Sequence, residues 1–97
     1  MKSIVQENKE CFLTGAKTGL HKHHIFGGAY RKKSEQFGLT VYLLAELHNL
    51  GKNSVHQNKE LNDIIKRTGQ RAFERVHGSR ADFMALFGKN YLEAENE

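Results

Sequence analysis

The second half of the chain constrains the fold most strongly, because apolar residues recur there at helical spacing. Ser54 followed by Gln57 fits a capping box, and we expect the helix that it begins to end near Gly78. A second capping pair, Ser79 with Asp82, predicts another helix after it. The apolar residues expected to share one face of the first helix are Leu61, Ile64, Ile65, Ala72, Phe73 and Val76.

The first half of the chain predicts extended structure. Residues 11–13 and 39–44 have the apolar, β-branched or aromatic content of strands, and residues 20–26 form a further extended piece before a glycine pair. Residues 29–38 are charged and are expected to be irregular, with at most a helical turn, and residues 48–53 to form a connection. The predicted order is strand, strand, loop, strand, helix, helix, which is an α+β domain.

The size and composition of the chain indicate one globular domain. Its 97 residues leave little room for a second core, and a hydrophobic content of 38% argues against wholesale disorder. We divide it into an N-terminal arm (1–10), a central region (11–57), C-terminal helices (58–92) and an acidic tail (93–97). No apolar run could span a bilayer, the start lacks the apolar segment of a signal peptide, and the single cysteine suits a reducing interior. We therefore expect a cytoplasmic location.

Positive charge is concentrated in residues 17–33. The chain carries 15 Lys and Arg against 11 Asp and Glu, a net charge of +4, yet this segment contains no acidic residue. Such a segment suits phosphate binding, although charge alone more often marks a solvated basic loop. Its cations are Lys17, Lys22, Arg31, Lys32 and Lys33.

Three of the six histidines lie together in residues 21–24. Because side chains alternate along a strand, His21 and His23 are expected on one face and His24 on the other. With a metal on His23, the neighbouring His24 could take a proton from water, since an ordinary imidazole has a pKa of about 6.5. This pattern suits a base beside a metal ion.

Two further imidazoles, His48 and His56, lie near the start of the long helix. Neutral imidazole binds transition metals, and three nitrogen ligands leave positions open for water and substrate. A single histidine is more often an ordinary polar residue, so the prediction depends on the convergence of an adjacent pair with two later histidines. His77 is left as a cation at a helix C-terminus.

At these residues the sequence resembles the HNH nuclease superfamily, also called ββα-metal or His-Me finger proteins, and in particular small HNH-type proteins of phages and prophages. The similarity covers roughly residues 11–92. It implies a short β-hairpin that carries the histidine pair, packed on a long helix with one divalent metal between them, and an additional C-terminal helix. The motifs that carry the resemblance are His23-His24-Ile25, a following strand, and His48-Asn49 with His56.

The resemblance also assigns roles to residues. His24 becomes the general base, and Asn49 an amide that orients water or a ligand, although a turn-forming asparagine fits equally well. Ser34 becomes a phosphate contact or, more simply, a helix cap. The implied ligands of one divalent ion (Mg, Mn, Ni or Zn) are His23, His48 and His56. The implied contacts to the DNA backbone are His21, Lys22, Arg31, Lys32 and Lys33.

Two departures from the family pattern bear on activity. Many members hold a structural zinc between two Cys-x-x-Cys pairs, but the corresponding positions here are Cys11 with Thr14 and Leu44 with Leu47. We therefore expect no structural zinc, apolar packing in its place, and Cys11 as a small buried hydrophobe. The strand asparagine expected near Leu39, which orients the base, is also missing, so activity could be reduced.

Three functions follow from the sequence, in decreasing order of support. The first is a metal-dependent endonuclease that hydrolyses phosphodiester bonds of DNA. The alternative is a catalytically weakened, HNH-derived module that binds DNA or a phage protein, and the third is a structural phage protein with an incidental basic face. We expect DNA as the partner, no membrane, a homodimer or a phage protein as further candidates, and the cytoplasm of a bacterial host as the location of this phage- or prophage-encoded chain.

Overall fold

The computed structural model describes residues 1–50, 54–55 and 58–92, which fold as a small α+β domain. Within these residues, strands β1 (Leu20–His24) and β2 (Thr40–Leu44) form the sheet. The α-helices are α1 (Arg31–Phe37), α2 (Lys59–Val76) and α3 (Arg80–Phe87). A 3-10 turn, Gly28–Tyr30, precedes α1, and one turn of π-helix, Glu46–Leu50, follows β2. The α+β class predicted from the sequence is confirmed.

The two strands are antiparallel, and the adjacent residues His23 and His24 lie on opposite faces of the sheet. His23 lies opposite Val41 on the face toward the core, and it is accordingly only 4% exposed. His24 lies opposite Thr40 on the other face, because side chains alternate along a strand. The predicted alternation is confirmed, but the strands are joined through α1 and not by a tight hairpin turn.

The segment between the strands, predicted to be irregular, forms α1 instead. The run from Arg31 to Gln36 contains no glycine, proline or β-branched residue, so nothing in it opposes a helix. The helix ends where Gly38 adopts a φ of 73°. Ser34 is neither a cap nor exposed to phosphate: its buried hydroxyl accepts from the Phe26 amide at 2.9 Å and donates to the Phe26 carbonyl at 2.8 Å. These two bonds fix α1 against the residues that follow β1.

The predicted strand at residues 11–13 is wrong, because only Cys11 forms a strand-like bridge, to Tyr42 of β2. Cys11 is 2% exposed and lies in the hydrophobic core, as expected for a small buried hydrophobe. Leu44 and Leu47, at two positions where the family places zinc cysteines, pack against the same core. The N-terminal arm contains no helix and is hydrogen-bonded along β2.

Helix α2 starts later than predicted. Its N-cap is Asn58, whose side-chain oxygen accepts a hydrogen bond from the Leu61 amide at 3.1 Å, so the helix does not begin at Ser54 as predicted. The predicted apolar face is also wrong in part, since Ile64 and Val76 are 49% and 52% exposed. They fall beside the buried face, whose residues are Ile65, Gly69, Gln70, Ala72 and Phe73.

Helix α3 confirms the second predicted capping box. The Ser79 hydroxyl accepts from the Asp82 amide at 3.1 Å, and the Asp82 carboxylate accepts from the Ser79 amide at 2.9 Å. The helix packs Phe83 and Phe87 against Phe26, with ring centroids 5.2 and 4.9 Å apart. Phe26 thereby anchors the end of β1 in an aromatic core.

Some predictions concern residues outside the described ranges, namely Gln57, the imidazole His56, residues 51–53 of the connection and the acidic tail, 93–97. Residues 48–50 of that connection belong to the π-helical turn. None of the helices within the described ranges is both long enough and apolar enough to cross a membrane.

We expect Gly69→Ala to destabilise the fold, although helix propensity favours alanine over glycine by about 1 kcal/mol. A Cβ at Gly69 would lie 2.9 Å from Ile25 Cγ2 and 3.1 Å from the Phe26 ring. Overpacking a core costs about 1–3 kcal/mol, so the free energy of unfolding in urea should fall by about 1 kcal/mol net. Arg75→Ala, at an exposed site of the same helix, is the control and should change it by less than about 0.5 kcal/mol. A more stable Gly69→Ala protein would contradict this close packing.

Candidate functional site

A cavity of about 260 Å³ lies between β1, the glycine turn after it and the π-helical turn after β2. Gly27 and Gly28 form one wall, and Gly28 has a φ of 58°, a backbone conformation that side chains disfavour. The remaining wall consists of residues that the sequence predicted as functional: Lys22, His23, His24, Arg31 and His48. The fold therefore brings the predicted base, two predicted metal ligands and two cations to one cavity.

Three imidazole rings meet beside this cavity. The His48 ring centroid lies 5.2 Å from that of His23 and 5.4 Å from that of His21. Nδ1 of His21 and Nδ1 of His48 are 3.2 Å apart, so one nitrogen carries a hydrogen and donates it to the other. His21, assigned to DNA from the sequence, is thus in contact with a residue assigned to metal.

Imidazole nitrogens are donors of the kind that transition metals bind in proteins. Imidazoles suit Zn or Ni better than Mg, which prefers oxygen. Within the described ranges no group of three or more His, Cys, Asp or Glu side chains is arranged for a metal, and the predicted ligand His56 lies outside them.

His24 contacts a carboxylate that is not among the residues predicted from the sequence. Its Nε2 lies 3.2 Å from Oε1 of Glu35, and Nζ of Lys22 donates to both oxygens of the same carboxylate at 2.7 and 3.0 Å. Glu35 belongs to α1, so this contact depends on the helix that was not predicted. One signal was present, since Glu35 is the only acidic residue between Glu10 and Glu46.

The local charges keep this carboxylate ionised. The hydrogen bond from Lys22 is the main cause that lowers the pKa of Glu35, and the hydrogen bond with His24 is the second. The His24 side chain is 14% exposed and that of Glu35 is 42% exposed, so the pair lies at the rim of the domain and not in its core. An ionised carboxylate can only accept hydrogen bonds.

The cations of α1 fall into two groups. Arg31 lines the cavity, and Lys32 is exposed to solvent. Lys33 instead donates to the Leu86 carbonyl in the last turn of α3 at 2.8 Å, where the helix dipole favours a positive charge. The basic run predicted to bind DNA is therefore divided between the cavity and a structural contact.

Two other residues considered in the sequence, Asn49 and His77, lie in or at the end of helical segments. Asn49 lies in the π-helical turn, directly after the cavity-lining residue His48. His77 is the C-cap of α2, and its Nε2 lies 2.8 Å from the Phe37 carbonyl, which ties the end of α2 to α1. His77 is thus at a helix C-terminus, as the sequence predicted.

We expect the Glu35 carboxyl to titrate below its usual value of 4.5. Because the folded-state pKa is lowered, the contact stabilises the fold above that usual value, and the stabilisation is lost as the pH falls through the lowered pKa. Carbon-detected NMR of the side-chain carboxyls measures the midpoint. Lys22→Met should raise the midpoint toward the usual value, and an unchanged midpoint in this variant would contradict the ion pair.

No protein-family model, no curated protein and no solved structure matches the chain. A functional assignment therefore depends on the geometry of the cavity and on the motifs that line it.

Proposed function

We propose that the chain is a metal-dependent endonuclease of the HNH type that hydrolyses phosphodiester bonds of DNA. The observation that carries the proposal is the convergence of His23, His24, Arg31 and His48 on one cavity from separate segments of the chain. Hydrolysis of a phosphodiester needs a base for water, positive charge at the phosphate and a concave site. These residues would supply the base and the positive charge, and the cavity that they line is the concave site.

The order of the elements supports the same proposal. β1 carries the histidine pair, β2 lies antiparallel beside it, and the helical turn with His48 follows β2 directly. This order agrees with the ββα-metal core that the resemblance implies, with α1 inserted between the strands. In this proposal α2 is the long helix and α3 the additional C-terminal helix.

In the proposed reaction, His24 takes a proton from water as the water oxygen bonds to phosphorus. The bond from phosphorus to one sugar oxygen breaks, and the departing oxygen takes a proton from solvent. One divalent ion, held by His23, His48 and His56, would supply positive charge to the phosphate oxygens. Arg31 would donate two N–H groups to a phosphate oxygen pair and so hold the DNA strand in the cavity. Asn49, next to His48, would orient water or a ligand through its amide.

A second function takes account of the missing family asparagine and of two cations that are engaged within the protein. Lys22 binds Glu35, and Lys33 binds the carbonyl of Leu86. Leu39, near the position of the missing family asparagine, is fully buried in the core. The missing asparagine favours a weakened, HNH-derived module that binds DNA or a phage protein without cutting, and the engaged cations would weaken its hold on DNA. In either case the proposed setting is the cytoplasm of a bacterial host, with DNA or a second copy of the chain as partner.

In a plasmid-nicking assay we expect supercoiled DNA to become nicked in the presence of Mg, Mn or Ni, and to stay intact with EDTA. His24→Ala should lower the rate by about 10²–10⁴-fold, because no side chain then takes the proton from water. His77→Gln, which changes a histidine outside the cavity, is the control and should cut at the wild-type rate. Cutting by His24→Ala at that rate would show that His24 is not the base. DNA binding without cutting under any metal would favour the binding module.

Arg31→Ala and Lys33→Ala should have different effects on DNA binding. Arg31→Ala removes a phosphate contact, so the slope of log affinity against log salt should become shallower by about 0.9. Lys33→Ala should leave that slope unchanged and lower the melting temperature, since its ammonium bonds the Leu86 carbonyl. Fluorescence anisotropy with duplex DNA at several salt concentrations measures the slopes. An equal loss of slope in both variants would contradict the division of the basic run.

A further inference from the structure

We infer that Glu35 is a positioning residue for His24, and that it holds the imidazole in the tautomer with hydrogen on Nε2. The inference rests on the proposed function, since it concerns how the base is presented to water. It assigns a role to a residue that the HNH resemblance leaves without one.

The tautomer follows from the chemistry of the two groups in contact. Nε2 of His24 lies 3.2 Å from Oε1 of Glu35, and an ionised carboxylate has no hydrogen to donate. The shared hydrogen must therefore be on Nε2. A neutral imidazole carries one N–H and one lone pair, so Nδ1 is the nitrogen that can accept the proton of water.

Two further contacts hold the Glu35 carboxylate within hydrogen-bond distance of His24. Lys22 precedes His24 by two residues and lies on the same face of β1, and its ammonium donates to both Glu35 oxygens at 2.7 and 3.0 Å. On the helix side, the neighbouring Ser34 is 0% exposed and bonds the backbone of Phe26 through its hydroxyl. The carboxylate is thus fixed from the strand and from the helix.

In this inference, the same contacts take the place of the strand asparagine that the sequence lacks. The resemblance expects a strand asparagine near Leu39 to orient the base, and Leu39 is instead a fully buried core residue. Glu35 reaches His24 from α1, the helix that lies between the two strands. The orientation of the base therefore comes from the inserted helix and not from β2.

The tautomer is measured directly by long-range proton–nitrogen NMR correlation on the full-length chain, at a pH well above the usual imidazole pKa of about 6.5. We expect the Nε2–H pattern for His24 in the wild type. Glu35→Gln, whose amide oxygen can still accept from Nε2, should keep that pattern. Glu35→Ala should give a mixture of tautomers. A wild-type His24 with hydrogen mainly on Nδ1 would overturn the inference, whether or not the protein cuts DNA.

Cleavage kinetics give the second readout. Glu35→Ala should lower kcat by about 10- to 100-fold with little change in KM, because the base is misoriented while the DNA contacts remain. Glu35→Gln should recover most of kcat, and Glu60→Ala, at an exposed glutamate of α2, should match the wild type. Thermal unfolding of each variant identifies any loss of fold. If folded Glu35→Ala cuts as fast as the wild type, Glu35 does not position the base, and the inference is wrong. Absence of cutting in the wild type would count against the proposed function. The NMR measurement of the His24 tautomer would still test whether Glu35 positions the imidazole.

Discussion

The close approach of α2 to the end of β1 is the constraint on which the rest of the structure depends. Gly69 lies against Ile25 and Phe26, so closely that a Cβ at Gly69 would lie 2.9 Å from Ile25. Phe26 then enters the aromatic core, where it contacts Phe83 and Phe87 of α3. Because His23 and His24 immediately precede Ile25, this docking fixes the strand end that carries the candidate base. The site is therefore positioned by apolar packing behind it.

A second constraint joins α1 to the same strand end and gives the site its charged partners. Ser34 satisfies both the amide and the carbonyl of Phe26, two backbone groups that would otherwise be buried at a cost of about 1–3 kcal/mol each. With Ser34 fixed, the adjacent Glu35 reaches His24, and Arg31 lines the cavity. The buried Ser34 hydroxyl, which does not line the cavity, thus determines where Glu35 and Arg31 of the candidate site lie.

The elements that could be predicted from sequence were those with a complete local signal. The Ser79–Asp82 capping box begins α3 as predicted, since both of its hydrogen bonds form within one turn. Residues 54–57 carried a similar pattern, yet α2 begins after Asn58, whose side chain caps the helix in their place. Helix α1 was not predicted because its charged, glycine-flanked run resembles a loop, and its stability comes from tertiary contacts such as the Ser34 bonds.

The sequence by itself determined the alternation that separates His23 from His24, since successive side chains of a strand point to opposite faces. It also determined which chemical groups are present: imidazoles and cations in residues 17–33, and Glu35 as the only acidic residue between Glu10 and Glu46. Only the tertiary structure decided which groups meet. Glu35 contacts His24 and His48 contacts His21 across 11 and 27 positions of chain, and Lys33 is drawn to α3 while Arg31 stays at the cavity. Such distant pairs form only when strand register and helix docking are both set, and neither is encoded within a single segment.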